Sequence, residues 1–357
     1  MKKKCFLYAY DKQNLGDDLF IHTITKRYPN VKFYMWTDGK NRDTFRCLPN
    51  LKVVDKDSRF VHALKRIRAS LVPRYRYWLE NRCNAVVYIG GSIFMECENW
   101  EQNLHWWEHE AQTRPLYVLG ANFGPYQTGA YREKASQIYE NMQDICFRDQ
   151  YSYDLFSQVP TVRKAPDILF SQPIPRGSVK EKQIFVSVID CAGRDESHGF
   201  GNPDRFYVEQ MGNMLQGYLD RGYSLVMSSF CKEEGDETAI GKILGAMGCE
   251  NDPRIRILCY DGTNAEELTG AIARSEAVIA SRFHAAILAI AAGRPVLPVV
   301  YSDKTIHVLQ DLGFAGTIID LRSQTPYQGT PASLNVDLKQ LDRQAQKHFE
   351  KLDGVLC

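Results

Sequence analysis

Short runs of consecutive apolar residues alternate with segments of helical length through most of the chain: Cys5 to Tyr10, Ala85 to Ile89, Leu116 to Gly120, Ile145 to Phe147, Ile184 to Ile189, Ser224 to Ser228, Ile255 to Cys259, Ala277 to Ala280 and Val296 to Val300. Strands buried on both faces read as such unbroken runs, so the pattern predicts an α/β chain of βαβ units around parallel sheets. One stretch breaks the rhythm. From Phe170 to Lys182, Pro173, Pro175 and Gly177 stand among charges without periodicity, the composition of a linker. The expected organisation is an N-terminal domain over residues 1–172, a C-terminal domain over 183–330, and a tail over 331–357. In that tail Leu338, Leu341, Ala345, Phe349 and Leu352 recur at roughly helical spacing between Asn335 and Leu352, predicting a helix that packs at the domain interface.

Polar residues just after these strands carry the candidate chemistry, because parallel sheets bind ligands at the carboxyl ends of their strands. Ala280-Ser281-Arg282-Phe283-His284 joins a strand to a small-residue helix predicted over Ala285 to Ala292, placing Arg282 and His284 at the helix N-terminus. Free first-turn N–H groups, the positive end of the macrodipole, a guanidinium and an imidazole together favour a phosphate or carboxylate. An ordinary junction, with Arg282 solvated and His284 in the core, fits the same residues. The next strand, Pro295 to Tyr301, ends in Tyr301-Ser302-Asp303-Lys304 and aims a second cation, Lys304, at the same crevice.

Four further motifs follow predicted strands. Asn14-Leu15-Gly16-Asp17-Asp18 leads into a helix starting near Asp18; a cap needs one carboxylate, and the second of the pair is a candidate for chemistry, with nothing to choose between them. Gly90-Gly91-Ser92 is a glycine turn before an expected helix, without the spacing of a dinucleotide fingerprint. In Gly120-Ala121-Asn122-Phe123-Gly124-Pro125, Asn122 suits a sugar hydroxyl, and a plain turn of Gly, Asn and Pro fits equally. Phe147-Arg148-Asp149 ends another strand, with Arg148 a candidate for the cleft and Asp149, Ser152 and Asp167 read as structural.

Charge narrows the choice of partner. With 357 residues the chain is long for one core, and its net charge of +1 marks no nucleic-acid binder, so attraction for anions must be local. Ten scattered cysteines lack metal-ligand spacing and fit a reducing cytoplasm. The basic start Met1-Lys2-Lys3-Lys4 precedes an apolar run too short for a signal segment, and no stretch reaches the roughly 18 to 20 apolar residues of a membrane span. Between Lys65 and Arg82, cations alternate with Leu71, Tyr75, Tyr77 and Trp78, as on surfaces that rest on anionic lipid headgroups or on a solvated helix face. Trp100, Trp106 and Trp107 are sized for sugar stacking and, at that spacing, equally for a core.

In order along residues 5 to 305, the Asn14-x-Gly16-Asp17-Asp18, Gly90-Gly91-Ser92, Gly120-Ala121-Asn122-x-Gly124-Pro125, Arg148-Asp149-x-x-Ser152, Pro166-Asp167, Ser281-Arg282-Phe283-His284 and Gly293-x-Pro295 motifs resemble those of the polysaccharide pyruvyl transferase family. Phe283 stands where Leu is common, and Ile89 where a third glycine is frequent. The resemblance implies a GT-B-like fold, with two Rossmann-like domains facing a cleft, and transfer of pyruvate from phosphoenolpyruvate to a sugar as a ketal. It implies donor binding by Arg282 and His284, to which the reading of the residues adds Ser281, Lys304 and Arg148. Catalysis would rest on His284, Arg282 and Asp17 or Asp18, and acceptor binding on Asn14, Gly16, Gly91, Ser92 and Asn122. No metal and no separate cofactor is expected. The implied acceptor is a hexose of a surface polysaccharide, undecaprenyl-linked at the inner membrane face, which would give the Lys65 to Arg82 stretch an anionic surface to touch. A nucleotide-sugar glycosyltransferase of the same architecture and a non-catalytic sugar-binding subunit are the competing readings.

Overall fold

The computed structural model describes residues 2–176, 181–192, 203–323 and 325–357; Gly177 of the expected linker lies outside them. The chain divides into two compact units. The first comprises Met1–Asp11, Asp17–Ser171 and Gln340–Cys357, the second Lys12–Gly16 and Gln172–Lys339. Two segments therefore differ from the expected boundaries: the Lys12–Gly16 loop groups with the second unit, and residues 340–357 belong to the first rather than forming an element of their own.

The first unit holds β1 (Lys4–Tyr8), β2 (Lys32–Thr37), β3 (Leu51–Asp55), β4 (Ala85–Ile89), β5 (Ser92–Phe94), β6 (Leu116–Phe123), β7 (Asp144–Phe147) and β8 (Val162–Lys164). They form one parallel sheet in the order β3-β2-β1-β4-β6-β7-β8, with β5 paired to β6. The second unit holds β9 (Glu181–Ser187), β10 (Ser224–Ser229), β11 (Ile255–Cys259), β12 (Ser275–Ala280), β13 (Val296–Val300) and β14 (Ile319–Asp320), parallel in the order β11-β10-β9-β12-β13-β14. In each unit the chain winds outward from a central strand and then returns to its other side, the Rossmann-like order. The turning points lie between β1 and β4 and between β9 and β12, where the carboxyl ends open a crevice.

Where the strands differ from the apolar runs, backbone pairing gives the reason. The Leu116 to Gly120 run continues through Asn122 and Phe123, because β5 lies alongside: Asn122 N–H donates to the Gly91 carbonyl at 2.8 Å and Gly124 N–H to that of Phe94 at 2.7 Å. The Gly90-Gly91 turn accordingly feeds a short strand and not a helix, which begins only at Trp100. β2 escapes notice as an unbroken run because only Phe33, Met35 and Thr37 are buried along it. Trp107 packs in the core between Phe94 (4.9 Å) and Tyr88 (4.7 Å), and Trp106 stands edge-on to it, so these aromatics serve packing. Among the described residues no helix is long and apolar enough to cross a membrane.

The tail predicted as one helix is two, Leu338–Ala345 and Glu350–Leu356, joined by a tighter turn over Gln346–Phe349. Leu341, Ala345, Phe349 and Leu352 are buried as their spacing implied. Ion pairs complete the attachment to the first unit. Arg27 meets both oxygens of Asp353 at 3.0 and 2.7 Å, and the Tyr28 hydroxyl donates to the same carboxylate at 2.7 Å. Arg163, paired with Asp144 at 2.6 and 2.7 Å, donates to the His348 carbonyl at 2.6 Å, while His348 Nε2 lies 2.9 Å from the Pro166 carbonyl.

Two buried groups of this unit make its stability depend on pH with opposite signs. Burial, followed by the Arg163 charge, lowers the His348 pKa to about 3. Below the ordinary value of about 6.5 the unfolded chain takes a proton that the folded one refuses, so stability falls with pH by up to about 1.4 kcal/mol per unit. The His348→Gln variant is expected to show a flatter acid limb in a series of thermal melts between pH 6.5 and 4. Glu110 shares buried surroundings with Glu80, Arg114 and Arg76, and burial, then Glu80, raises its carboxyl pKa to about 7. Here the folded state keeps a proton that the unfolded state has released, so stability falls as pH rises from about 4.5 towards 7. The melting temperature of Glu110→Gln relative to wild type is therefore expected to increase across that window; a constant difference would contradict the assignment.

Candidate functional site

At the turning point of the second sheet, β12 ends at Ala280 and the next helix, Phe283–Ala291, begins with Arg282 as its cap in an extended conformation. The predicted helix start at Ala285 is thus two residues late, and His284 lies in the first turn. Ser187, the last residue of β9, ties the two strands together: its carbonyl accepts from Ser281 N–H at 3.1 Å and its hydroxyl from Arg282 N–H at 3.2 Å. The Ser281 hydroxyl pairs with the Tyr207 hydroxyl at 2.9 Å, which also lies 3.3 Å from Ile189 N–H. Polar side chains thus line the carboxyl edge of the sheet, each held by a partner on a neighbouring element.

Arg282 is neither solvated nor presented to a ligand as a bare cation. Its buried guanidinium contacts both oxygens of Asp236, with Nε at 3.1 Å from each, and also bonds Glu234. Burial opposes its charge, but Asp236 and then Glu234 outweigh that and raise its pKa, so the guanidinium is more firmly protonated than a free one. Asp236 accepts two backbone donors besides, Phe230 N–H at 2.9 Å and Cys231 N–H at 3.0 Å. A carboxylate surrounded by donors in this way can stay ionised inside a protein.

The turn that Asp236 braces holds the Asn14 loop. The Phe230 carbonyl accepts from Leu15 N–H at 3.0 Å, the Cys231 thiol reaches the Lys12 carbonyl at 3.4 Å, and Lys12 pairs with Glu233 at 3.5 Å. Within the loop, Gln13 adopts a left-handed backbone at φ 49°, uncommon without glycine. The Asn14 side chain accepts from Gly16 N–H at 3.1 Å. Gly16 then lies directly against the His284 imidazole: a Cβ built on it would stand 1.7 Å from Nδ1. Only glycine permits this approach, which brings together two motifs 268 positions apart in sequence numbering.

The remaining candidates group by unit. In the second, Lys304 is half-buried at the start of the helix Asp303–Asp311, its ammonium 5.8 Å from the Tyr301 ring centre. In the first, Asp17 and Asp18 occupy the first turn of the helix Leu15–Arg27, Asp18 buried and Asp17 half-buried. Arg148, Asn122, Gly91 and Ser92 meet in one buried knot of that unit. Arg148 donates to Asn122 Oδ1 at 2.8 Å and to Asp167 at 3.1 Å, and Ser92 Oγ lies 3.5 Å from the same Asn122 oxygen. A Cβ on Gly91 would stand 2.3 Å from the Arg148 guanidinium, so this glycine makes room for an arginine of the chain itself. Asp149 caps the helix Gln150–Leu155 through Ser152 N–H at 2.7 Å, and the Ser152 hydroxyl accepts from Phe123 N–H at 2.8 Å, the structural roles read from the sequence.

Sequence reasoning passed over Asp236, Glu234, Ser187 and Tyr207. Asp236 opens the helix Asp236–Met247 and reads as an ordinary cap; its partner Arg282 lies 46 residues further on, and no local signal links the two.

Solved structures share this fold at low identity. Anabaena Alr3699/HepE, crystallised with UDP and glucose, aligns over all of this chain and 92% of its own at 12% identity and a TM-score of 0.53. UDP-GlcNAc 2-epimerase from Neisseria meningitidis aligns over 98% and 94% at 13% identity and a TM-score of 0.54. These likenesses show a GT-B-like α/β architecture. Among curated proteins, the amylovoran biosynthesis protein AmsJ of Erwinia amylovora is 23% identical in an alignment 261 residues long that covers 67% of this chain and 62% of that protein; the match thus spans less than two thirds of the relative. A family model described as polysaccharide pyruvyl transferase matches residues 14–303, from the Asn14 loop through His284 to the start of the Lys304 helix. The chain belongs to the polysaccharide pyruvyl transferase family.

Proposed function

We propose that the protein transfers pyruvate from phosphoenolpyruvate to a hexose of a surface polysaccharide or its lipid-linked repeat unit, at the inner face of the cell membrane, forming a ketal and releasing phosphate. The observation that carries this reading is the contact of Gly16 with His284, which joins the first and the last of the family's polar motifs in one unit. AmsJ, named for the biosynthesis of a polysaccharide, supports the acceptor class.

Phosphoenolpyruvate presents a phosphate and a carboxylate on three carbons, so it calls for convergent N–H groups and cations. First-turn N–H groups of the Phe283 helix, His284 and Lys304 are the proposed ligands, with Ser281 and Arg282 positioning them. An acid protonates the methylene carbon, a sugar hydroxyl adds to the central carbon, and phosphate leaves as the neighbouring hydroxyl closes the ring. His284 is the proposed acid or phosphate ligand. Asp17 or Asp18 is the proposed base, with Asp17 the more accessible to a hydroxyl; a positioned acid or base contributes about 10²- to 10⁴-fold. These steps call for no further cofactor.

Calorimetric titration with phosphoenolpyruvate, UDP-sugars and GDP-sugars tests the donor. Binding of phosphoenolpyruvate is expected, weakened about ten- to a hundredfold in His284→Gln through loss of a hydrogen bond to a charged group. Gly16→Ala is expected to weaken it as well, since the added methyl displaces the imidazole. Arg282→Ala is a poor probe: it strands the Asp236 carboxylate and costs about 3–5 kcal/mol of stability whatever the ligand. Binding of a nucleotide sugar without any response to phosphoenolpyruvate would replace this reading with glycosyl transfer.

A further inference from the structure

The helix pair Arg59–Ile67 and Leu71–Glu80 in the first unit carries a strongly one-sided charge. Between Arg59 and Arg82 stand seven cations and one carboxylate, in a chain whose totals are 44 and 43. The single carboxylate, Glu80, is buried and engaged by Arg76 and Arg114. Arg59, Lys65, Arg66, Arg68, Arg74 and Arg82 are all exposed. No acidic group within the stretch offsets them.

Large apolar side chains stand out among these cations. Ile67 is 76% exposed, Phe60 56% and Trp78 51%. Phe60 and Ile67 fall with Leu64 on one stripe of the first helix, flanked by the buried Val61. Tyr75 links this stripe to the second helix: its ring centre lies 5.2 Å from that of Phe60 and 6.0 Å from that of Trp78. Tyr75 is itself fixed to the sheet through Trp36 at 6.1 Å, and Arg82 lies over the Trp78 ring at 4.4 Å. The row is therefore held outward by packing, not left loose on a flexible tail. An exposed tryptophan with an arginine over its ring, on the same helix pair as an exposed isoleucine and phenylalanine, matches the headgroup boundary of a bilayer, where apolar rings sink and cations stay with phosphates.

We propose that the surface formed by Phe60, Ile67 and Trp78 with Lys65, Arg66 and Arg68 docks the protein on an anionic phospholipid bilayer. A nucleic acid or other soluble polyanion takes up the cations but gives the exposed Ile67 and Trp78 nothing apolar to enter. Each cation near an anionic leaflet adds about 1 kcal/mol, a roughly fivefold gain in partitioning, and the apolar row adds a contribution that salt does not screen. The inference rests on this surface alone, so it and the pyruvyl-transfer reading can fail separately.

Co-sedimentation with vesicles of phosphatidylcholine, with and without phosphatidylglycerol, tests it at about 0.15 M salt. The full chain is expected to bind the anionic vesicles and not the neutral ones. Arg66→Glu with Arg68→Glu is expected to lower partitioning at least about tenfold. Ile67→Asn and Trp78→Ala, each at an exposed position and checked for fold by circular dichroism, are expected to lower it about fivefold and to steepen its salt dependence. Absence of binding to anionic vesicles would overturn the proposal. Binding that these two apolar substitutions leave unchanged, and that soluble dextran sulfate abolishes, would overturn it in favour of a polyanion site.

Discussion

A guanidinium cannot be buried alone, and the second unit is organised around the partners that Arg282 requires. Asp236 and Glu234 neutralise it; Asp236 in the same stroke accepts from Phe230 and Cys231 N–H and shapes the turn after β10. That turn offers its Phe230 carbonyl to Leu15, so the Asn14 loop is seated, Gly16 meets the His284 imidazole, and His284 sits one residue beyond the next neighbour of Arg282. The contacts close into a ring of backbone and side chains. Removal of Arg282 or of Asp236 leaves the other as an uncompensated buried charge, and such a loss costs more than the same contact contributes when intact. Arg282 thus has a structural purpose: through Asp236 it holds the turn that seats the Asn14 loop beside the imidazole.

The first unit solves the same problem with another arginine. Arg148, at the end of β7, is buried against Gly91 and satisfied by Asp167 and Asn122. Three residues with the chemistry of a sugar site, Gly91, Ser92 and Asn122, are thereby accounted for by internal packing. Burial raises the Asp167 carboxyl pKa, opposed by the Arg148 charge and Leu169 N–H. In both units, then, an arginine at the carboxyl edge of a parallel sheet is buried and paired with carboxylates of its own unit.

Legibility from sequence followed the range of the forces involved. The runs at β4 and β13 matched the strands residue for residue, since burial on both faces of a parallel sheet leaves a continuous apolar record. β2 left a weaker record because half its side chains are only partly covered, and β5 left none, being three residues whose strand character comes wholly from pairing with Asn122 and Phe123. Caps were readable for the same reason in reverse. The Asp149 cap on Ser152 N–H acts within one turn of chain, so it appears in the local spacing.

At the candidate site the placement of residues was legible, but not their pairing. Spacing located Arg282 and His284 at a helix start, which is where they are. Whether a cation there is bare or paired depends on which carboxylate arrives from a distant segment, and Lys232-Glu233-Glu234-Gly235-Asp236 looks in isolation like a solvated turn. The meaning of Gly16 was hidden likewise, because a missing side chain is informative only once the occupant of its space is known; here the occupant is the imidazole of His284. Close backbone approach and buried charge pairing are both long-range in sequence and short-range in space, and a chain read residue by residue records the first term of each pair without naming the second.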